Sequence, residues 1–564
     1  MRRLGIGMAI GLALVSVVFG DAAKPLGEQR KEALNRKRAV IYYDGGEEPL
    51  FWDKNDSFSV DKFLNMRIAP LKDSKVDTLF YAPVSAFGFL SIKIPSSDVI
   101  LHQPEGSKWM ANNKNVVKDF LDAGTDPLKE VIKWCKANDK EIFATLCVNS
   151  VSHGTEYDFA SPPPPYNWDN YLFPPFKIQH AETLLGSFSS NGKSKSSVNH
   201  PPCAVWSGVD YSHGIVREKL FQMSRDICTG YDIDGLCLDF MREMQLFKSV
   251  AMGGKASGAA RKQLTDLMRR IRKTADEAAA KRGRPILLAV RIPDSAPYCK
   301  DVGIDLEAWF AEKLVDIVIG GGNFQLNPWA YLVGLSKKGG VKCYASLDES
   351  GIWIGNDQGG AVDDDRLPRQ CPETYHARVA DARVAGTDGV LFANRFDEDW
   401  RRGEIRNYRN WMCGELDDIR TLNKRYFVTY RNIDNAGRYL KEWRGYASLA
   451  NLTGYNPAKL RSGSAEYPIF VWDNLADLKK SGVTTELGLT TEAILPTGTE
   501  LDVMLNGHKL SLLKKQAGIQ RYELPPEALK YGENKIQLRA RGKNKNGSCV
   551  EVRNLAIDVK FNRP

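Results

Sequence analysis

The chain runs to 564 residues with a formal charge of +9, enough for one barrel-sized domain and a smaller companion. Its ten cysteines, none in a CxxC pair, exclude a disulfide scaffold and a finger module. The modest basic excess comes with no nucleic-acid-binding motif, so no nucleic-acid partner is expected; it suits an anionic polysaccharide, or serves only to solubilise the surface.

Met1-Arg2-Arg3 followed by the apolar run Leu4–Gly20 has the form of a secretory signal, with small residues at Gly20 and Ala22 for cleavage. Residues 1–22 are therefore expected to leave during export, giving a secreted or periplasmic protein with no stable membrane insertion. A retained anchor is the alternative, since the run approaches the lower spanning length. No later segment is apolar enough to span a bilayer.

Eight short β-rich runs follow: Ala39–Gly45, Val76–Ala86, Glu141–Ser150, Ile233–Glu243, Pro285–Asp294, Val315–Gly322, Val341–Ser350 and Thr387–Phe396. Between them Lys118–Asn138, His213–Thr229 and Ala259–Arg282 carry a helical apolar period, and Asp305–Leu314 and Tyr375–Ala385 are shorter candidates. Eight strand–helix repeats predict a closed (β/α)8 TIM barrel over residues 38–424. An open doubly wound sheet is the competing arrangement. Asp44-Gly45-Gly46-Glu47 after the first strand is a turn and not a dinucleotide-binding GxGxxG.

Barrel enzymes place their chemistry at the C-terminal strand ends. Here those ends carry Asp44, Ser85, Asn149, Asp239 with Arg242 and Glu243, Arg291 with Asp294, Asn323, Asp348 with Glu349, and Asn394 with Arg395. Strand four stands out. Leu236, Leu238 and Phe240 form one apolar face, which leaves Gly235, Cys237 and Asp239 on the other. A carboxylate there is costly unless it is paired to an arginine or has work to do.

The insertion between strands three and four is long and mixes Pro162–Pro165, Trp168, Tyr171 and Phe173 with a Ser/Lys/Asn-rich stretch at Ser187–Asn199. Such residues suit a platform on which sugar rings stack, or they pack the loop onto the barrel. His153, Trp168 and Trp206 are the substrate-binding candidates. Residues 425–464 form an extension, and 465–564 alternate like a β-sandwich accessory domain, with Asn506-Gly507 as a turn. Cys147, Cys237 and Cys343 fall within strands as small core residues; Cys203, Cys228, Cys299, Cys371 and Cys413 are available for bridges whose connectivity the sequence leaves open.

Val209-Asp210-Tyr211-Ser212-His213-Gly214-Ile215-Val216-Arg217, a helix, and then Tyr231-Asp232-Ile233-Asp234-Gly235-Leu236-Cys237-Leu238-Asp239-Phe240 resemble the core of family-10-type glycosylhydrolase-like barrel proteins, over residues 38–420. The resemblance implies a secreted bacterial polysaccharide-processing enzyme with an acidic residue ending strand four. The same strand is similar to the DGxDxDxE strand of family 18 chitinases. There the last Glu is the general acid; here Met241 stands in its place and Cys237 replaces an Asp, so that mechanism does not carry over.

Glycosidic hydrolysis takes two carboxyls across the bond. Asp239 is the first candidate. Strand seven offers Asp348 and Glu349 for the second: alternation puts Tyr344, Ser346 and Asp348 inward, while Glu349 is longer and reaches in from the loop. Glu243 is a further acid candidate or a surface ion pair to Arg242 or Lys248. Arg242 and Arg291 hold carboxylates or an anionic sugar substituent. Asp44, Asn149, Asn323 and Asn394 hydrogen-bond sugar hydroxyls or cap local turns. Seven scattered histidines show no metal-ligand pattern, no GxSxG elbow is present, and no cofactor is called for. A barrel that binds glycan without turnover, as a scaffolding protein of a polysaccharide-utilisation system, remains the alternative to the enzyme.

Overall fold

The computed structural model describes residues 24–50, 52–88, 90–97, 101, 112–150, 174–186, 207–241, 243–347, 371–393, 398–399, 404–405, 412–431, 433–454, 456–461, 463–542 and 549–562. Eight parallel strands close into a barrel: β1 (Val40–Asp44), β2 (Thr78–Ser85), β3 (Glu141–Cys147), β4 (Gly235–Asp239), β5 (Leu287–Ile292), β6 (Ile317–Gly320), β7 (Lys342–Ser346) and β8 (Gly389–Ala393). Each pairs with its neighbours in sequence, and β1 closes the ring on β8 through Val40↔Val390 to Tyr43↔Ala393. All eight predicted runs contain their strand, trimmed at both ends except at Glu141, where run and strand start together.

The strands read as apolar runs because both faces are covered. Leu236, Leu238 and Val290 face the helix layer, among them α3 (Pro127–Ala137), α4 (Gly214–Gly230), α5 (Gly258–Arg282), α7 (Trp329–Gly339) and α8 (Pro372–Val384); α1 is Leu26–Asn35, α2 Val60–Arg67 and α6 Leu306–Ala311. Ile41, Phe80, Phe143, Leu287, Ile317 and Leu391 fill the lumen. Phe80 and Phe143 stack there, 4.6 Å between centroids. Gly235 is required beside them: a Cβ would sit 2.1 Å from the Phe143 ring.

Ala33 and Leu34 of α1 pack against the lower lumen, and the N-terminal end is sealed by the buried pair Arg38–Glu141 at 2.6 Å. Arg38 also donates to the carbonyls of Ala33 and Leu34, so the pair ties α1 to β3. The expected helix Lys118–Asn138 is two: Val117–Asp122 stops before Gly124, whose φ of +74° breaks the period, and α3 restarts at Pro127 behind the cap Asp126.

The C-terminal region forms two antiparallel sheets around a second core of residues such as Leu489, Val503, Ile536 and Ile557. One sheet orders β9 (Lys424–Phe427), β18 (Val550–Phe561), β12 (Thr485–Ile494), β16 (Ile519–Glu523) and β15 (Leu512–Gln516), with β10 (Ala458–Leu460) also on β18. The other orders β11 (Ser464–Val471), β17 (Gly532–Gly542), β13 (Thr499–Leu505) and β14 (His508–Lys509). The chain is thus a TIM barrel with a β-sandwich, and β9 and β10 come from the segment read as an extension.

Between β9 and β10 the extension crosses the C-terminal end of the barrel. Ile433, Ala436, Tyr439, Leu440 and Trp443 join the barrel's core. Tyr298 donates to the Ala436 carbonyl (2.8 Å) and Gln245 to that of Arg438 (2.8 Å). Asn327 donates to the Tyr446 carbonyl at 3.2 Å. The side of the mouth above β4, β5 and β6 is therefore roofed by chain that follows the barrel. No helix among the described residues is long and apolar enough to cross a membrane.

Candidate active site

Alternation along β4 sends Cys237 and Asp239 into the lumen, with Asp239 in its last layer before the C-terminal mouth. The parallel register sets Asp239 level with Cys147 on β3 and Arg291 on β5. Arg291 therefore lies beside the carboxylate: its Nη1 donates to Asp239 Oδ2 at 3.0 Å, and the Met241 N–H donates to Oδ1 at 2.8 Å. Both oxygens are held, and the side chain is 1% exposed.

Arg291 extends across the lumen. Its Nη2 donates to Ser346 Oγ on β7 (3.4 Å), and its guanidinium lies 5.4 Å from the Tyr43 ring centroid. Burial works against the Arg291 charge; Asp239 and Tyr43 reverse the balance and raise its pKa. Gly322 forms the adjoining wall: a Cβ there would stand 2.9 Å from both Arg291 Nη2 and the Met241 methyl. The Tyr43 hydroxyl lies 3.6 Å from Cys147 Sγ. Burial, with Cys147 and Asp239 nearby, pushes that phenol well above its ordinary range.

Tyr43, Cys147, Asp239, Arg291 and Ser346 thus form one polar layer above an apolar plug. Barrel enzymes use this level. A carboxylate fixed by a guanidinium and a backbone N–H can face a developing positive charge without reorganising.

The remaining candidates are spread more widely. Asp44 follows the inward Tyr43, so it faces the helix layer, where its Oδ1 accepts from the Gly46 N–H (2.9 Å) and from Arg67 of α2 (3.5 Å). Burial raises its pKa to about 6, against the pull of Arg67. Asn149 binds backbone on both sides: its Oδ1 accepts from Ser150 and Val209, and its Nδ2 donates to the carbonyls of Val209 (3.1 Å) and Gln245 (3.3 Å). Asn323 Nδ2 donates to the Met241 carbonyl and the Tyr439 hydroxyl, both at 3.1 Å. Asp294 caps the Leu326 and Asn327 N–H groups, and burial raises it to about 6.

Glu243 stands near Lys177, which is carried by the short helix Pro175–Gln179 of the long insertion. Lys177 is buried and donates to the Ser150 carbonyl at 2.7 Å. Burial lowers its pKa to about 7, with Glu243 opposing. His153, Trp168, Trp206, Arg242, Asp348, Glu349 and Asn394 lie outside the described residues.

Sequence reasoning passed over Tyr43, Lys177 and Arg431, and read Cys147 only as a small core residue. Tyr42-Tyr43 gives no parity signal because both residues are aromatic, although the alternation from Ile41 reaches Tyr43. Arg431 lies far along the chain in an aperiodic segment. It is buried, and its Nη2 donates to the Ser346 carbonyl at 3.0 Å. Among the described residues no cluster of His, Cys, Asp and Glu has metal-ligand geometry, and the described cysteines are unbridged.

No family model matches the chain, and no curated protein matches it. Among solved structures it is similar to a GH29 alpha-L-fucosidase from Bacteroides thetaiotaomicron, at 11% identity over 92% of this chain and 96% of that one, TM-score 0.33. It is also similar to a chitinase from Bacillus thuringiensis (10% identity, 90% and 98%, TM-score 0.35) and an alpha-amylase from H. orenii (10%, 90% and 100%, 0.36). Likenesses this distant bear on neither chemistry nor substrate.

Proposed function

We propose that the chain is an exported glycoside hydrolase that cleaves O-glycosidic bonds of a polysaccharide at the C-terminal mouth of its barrel. The observation that carries this reading is Asp239, a buried carboxylate in the last lumenal layer with both oxygens fixed by Arg291 and the Met241 N–H. In that role Asp239 acts as the anion at the anomeric centre, either attacking it or stabilising the oxocarbenium-like transition state. The second carboxyl, which protonates the leaving oxygen or activates water, comes from Asp348 or Glu349, which follow β7 in sequence.

The glycan-binding, non-hydrolytic reading has an observation of its own. Asp239 already has a strong cationic partner, and Met241 stands where the family 18 strand carries its acid. A buried pair of this kind also occurs for structural reasons alone.

Reducing-end release from neutral, uronic and sulfated polysaccharides separates the two. Turnover of one polymer supports the hydrolase. Silence across the panel, with retained binding of one glycan, replaces it with the binding protein.

A further inference from the structure

The C-terminal extension reaches the candidate site through one side chain. Arg431 follows β9, is 3% exposed, and donates from Nη2 to the carbonyl of Ser346 at 3.0 Å. Ser346 is the last residue of β7, where the strand's pairing with β8 ends at Ser346↔Leu391. Its hydroxyl, on the lumenal side, accepts from Arg291 Nη2 at 3.4 Å. Arg291 Nη1 in turn donates to Asp239 at 3.0 Å. A chain of contacts therefore runs from the extension through the end of β7 to the carboxylate of β4.

The parts of this chain leave little room for adjustment. Gly322 closes one flank of Arg291, and the Tyr43 ring lies over the guanidinium. Buried Asp294 faces the Arg431 charge, which partly offsets the upward push of burial on that acid. The same extension is anchored to the segment between β6 and α7 by Asn435 to the Asn323 carbonyl (3.2 Å) and Ser448 to Asn327 (2.9 Å). Arg431 is thus presented to β7 by a segment that is itself fixed to the barrel.

We propose that Arg431 is a positioning residue for the Asp239–Arg291 pair, acting through the end of β7. It holds the Ser346 carbonyl, which sets where the Ser346 hydroxyl meets Arg291 and so how Arg291 is aimed at Asp239. It touches no substrate. In sequence Asp348 and Glu349 follow Ser346 by two and three residues, so the strand end that Arg431 holds also leads to the second proposed carboxyl. A barrel cut off before the extension would keep Asp239 and lose this hold.

The proposal rests on the hydrolase reading, and the test keeps the two failures apart. Arg431→Met, Arg431→Lys and Ser346→Ala are made in the full chain, beside Asp239→Asn. For Arg431→Met, kcat is expected to fall about ten-fold or more with KM unchanged, the effect of losing a hydrogen bond from a charged group; Arg431→Lys recovers part of it. Combining Arg431→Lys with Ser346→Ala costs less than the product of the single effects, because both cut one chain. A crystal structure of Arg431→Met gives a readout independent of turnover: Arg291 Nη2 is expected to move from Ser346 Oγ clearly out of hydrogen-bond reach. Wild-type kcat in Arg431→Met, or an Arg291–Ser346–Asp239 geometry unchanged in the Arg431→Met crystal, overturns the positioning role. Wild-type rates in Asp239→Asn overturn the site itself.

Discussion

At the residue scale the candidate site turns on one buried ion pair, Asp239–Arg291. Taking Asp239 and Arg291 out of water is expensive, and the cost is met only while each has the other. Arg291→Met is therefore expected to destabilise the chain by about 3–5 kcal/mol, because it leaves the Asp239 charge buried without its partner; urea unfolding checks this, and a loss below about 1 kcal/mol would mean that the carboxylate finds a new partner. Asp239 was legible because alternation in a strand is strict: once Leu236, Leu238 and Phe240 are assigned outward, the carboxylate has no direction but in. Arg291 could be named from its strand end, but its partner could not, since register between strands is a tertiary property. Asp44, Asn149 and Asn323 show the limit of strand-end reasoning. Polar residues collect there for substrate and for loop anchoring alike, and here their described bonds go to backbone, to Arg67 and to Tyr439.

At the scale of elements, the barrel was readable because strands buried on both faces carry continuous apolar runs of the right length. Several ends were overestimated because the apolar run continues past the strand, as at Val148, Phe240-Met241 and Leu347. Short elements escaped for a physical reason. β9 has four residues and pairs with β18, more than 120 residues later in the chain, so nothing local marks it. α7 follows Pro328, and its Trp329, Leu332, Val333 and Ser336 face inward as a narrow stripe within a largely apolar segment. Gly235 makes a prediction at this scale. Gly235→Ala drives a methyl into the Phe143 ring, and the stacked Phe80 prevents retreat. A loss of about 1–3 kcal/mol follows from overpacking of that kind. Thermal unfolding measures it, with Phe143→Leu as the compensating second change; no rescue in the double variant would show that the ring is not the obstacle.

At the scale of the whole molecule, barrel and sandwich meet along α8. Trp472 Nε1 donates to Asp381 Oδ1 at 3.0 Å, and Ala377 of the same helix belongs to the sandwich core. Burial raises the Asp381 pKa from 3.8 to about 6, with Trp472 and Arg378 opposing. An acid raised on folding binds its proton more tightly in the folded chain than in the unfolded one. Its contribution is therefore greatest below 3.8 and is lost as pH rises to about 6. Asp381→Asn keeps the acceptor for Trp472 and removes the titration, so the fall in stability between pH 4 and pH 6 should flatten in urea unfolding. An unchanged slope would assign that fall to other groups, such as Asp44 and Asp294, which burial raises in the same direction.

In the proposed function Asp239 does chemistry and is not only a structural partner of Arg291. Asp239→Asn keeps the shape and the Met241 contact while removing the charge. The decisive measurement is kcat of this variant on the polymer that the wild type degrades, beside its unfolding midpoint. The account predicts turnover reduced by a thousand-fold or more, on the order expected for loss of an essential carboxylate, in a protein that still unfolds cooperatively and still binds the polymer. Turnover within a few-fold of wild type would contradict it.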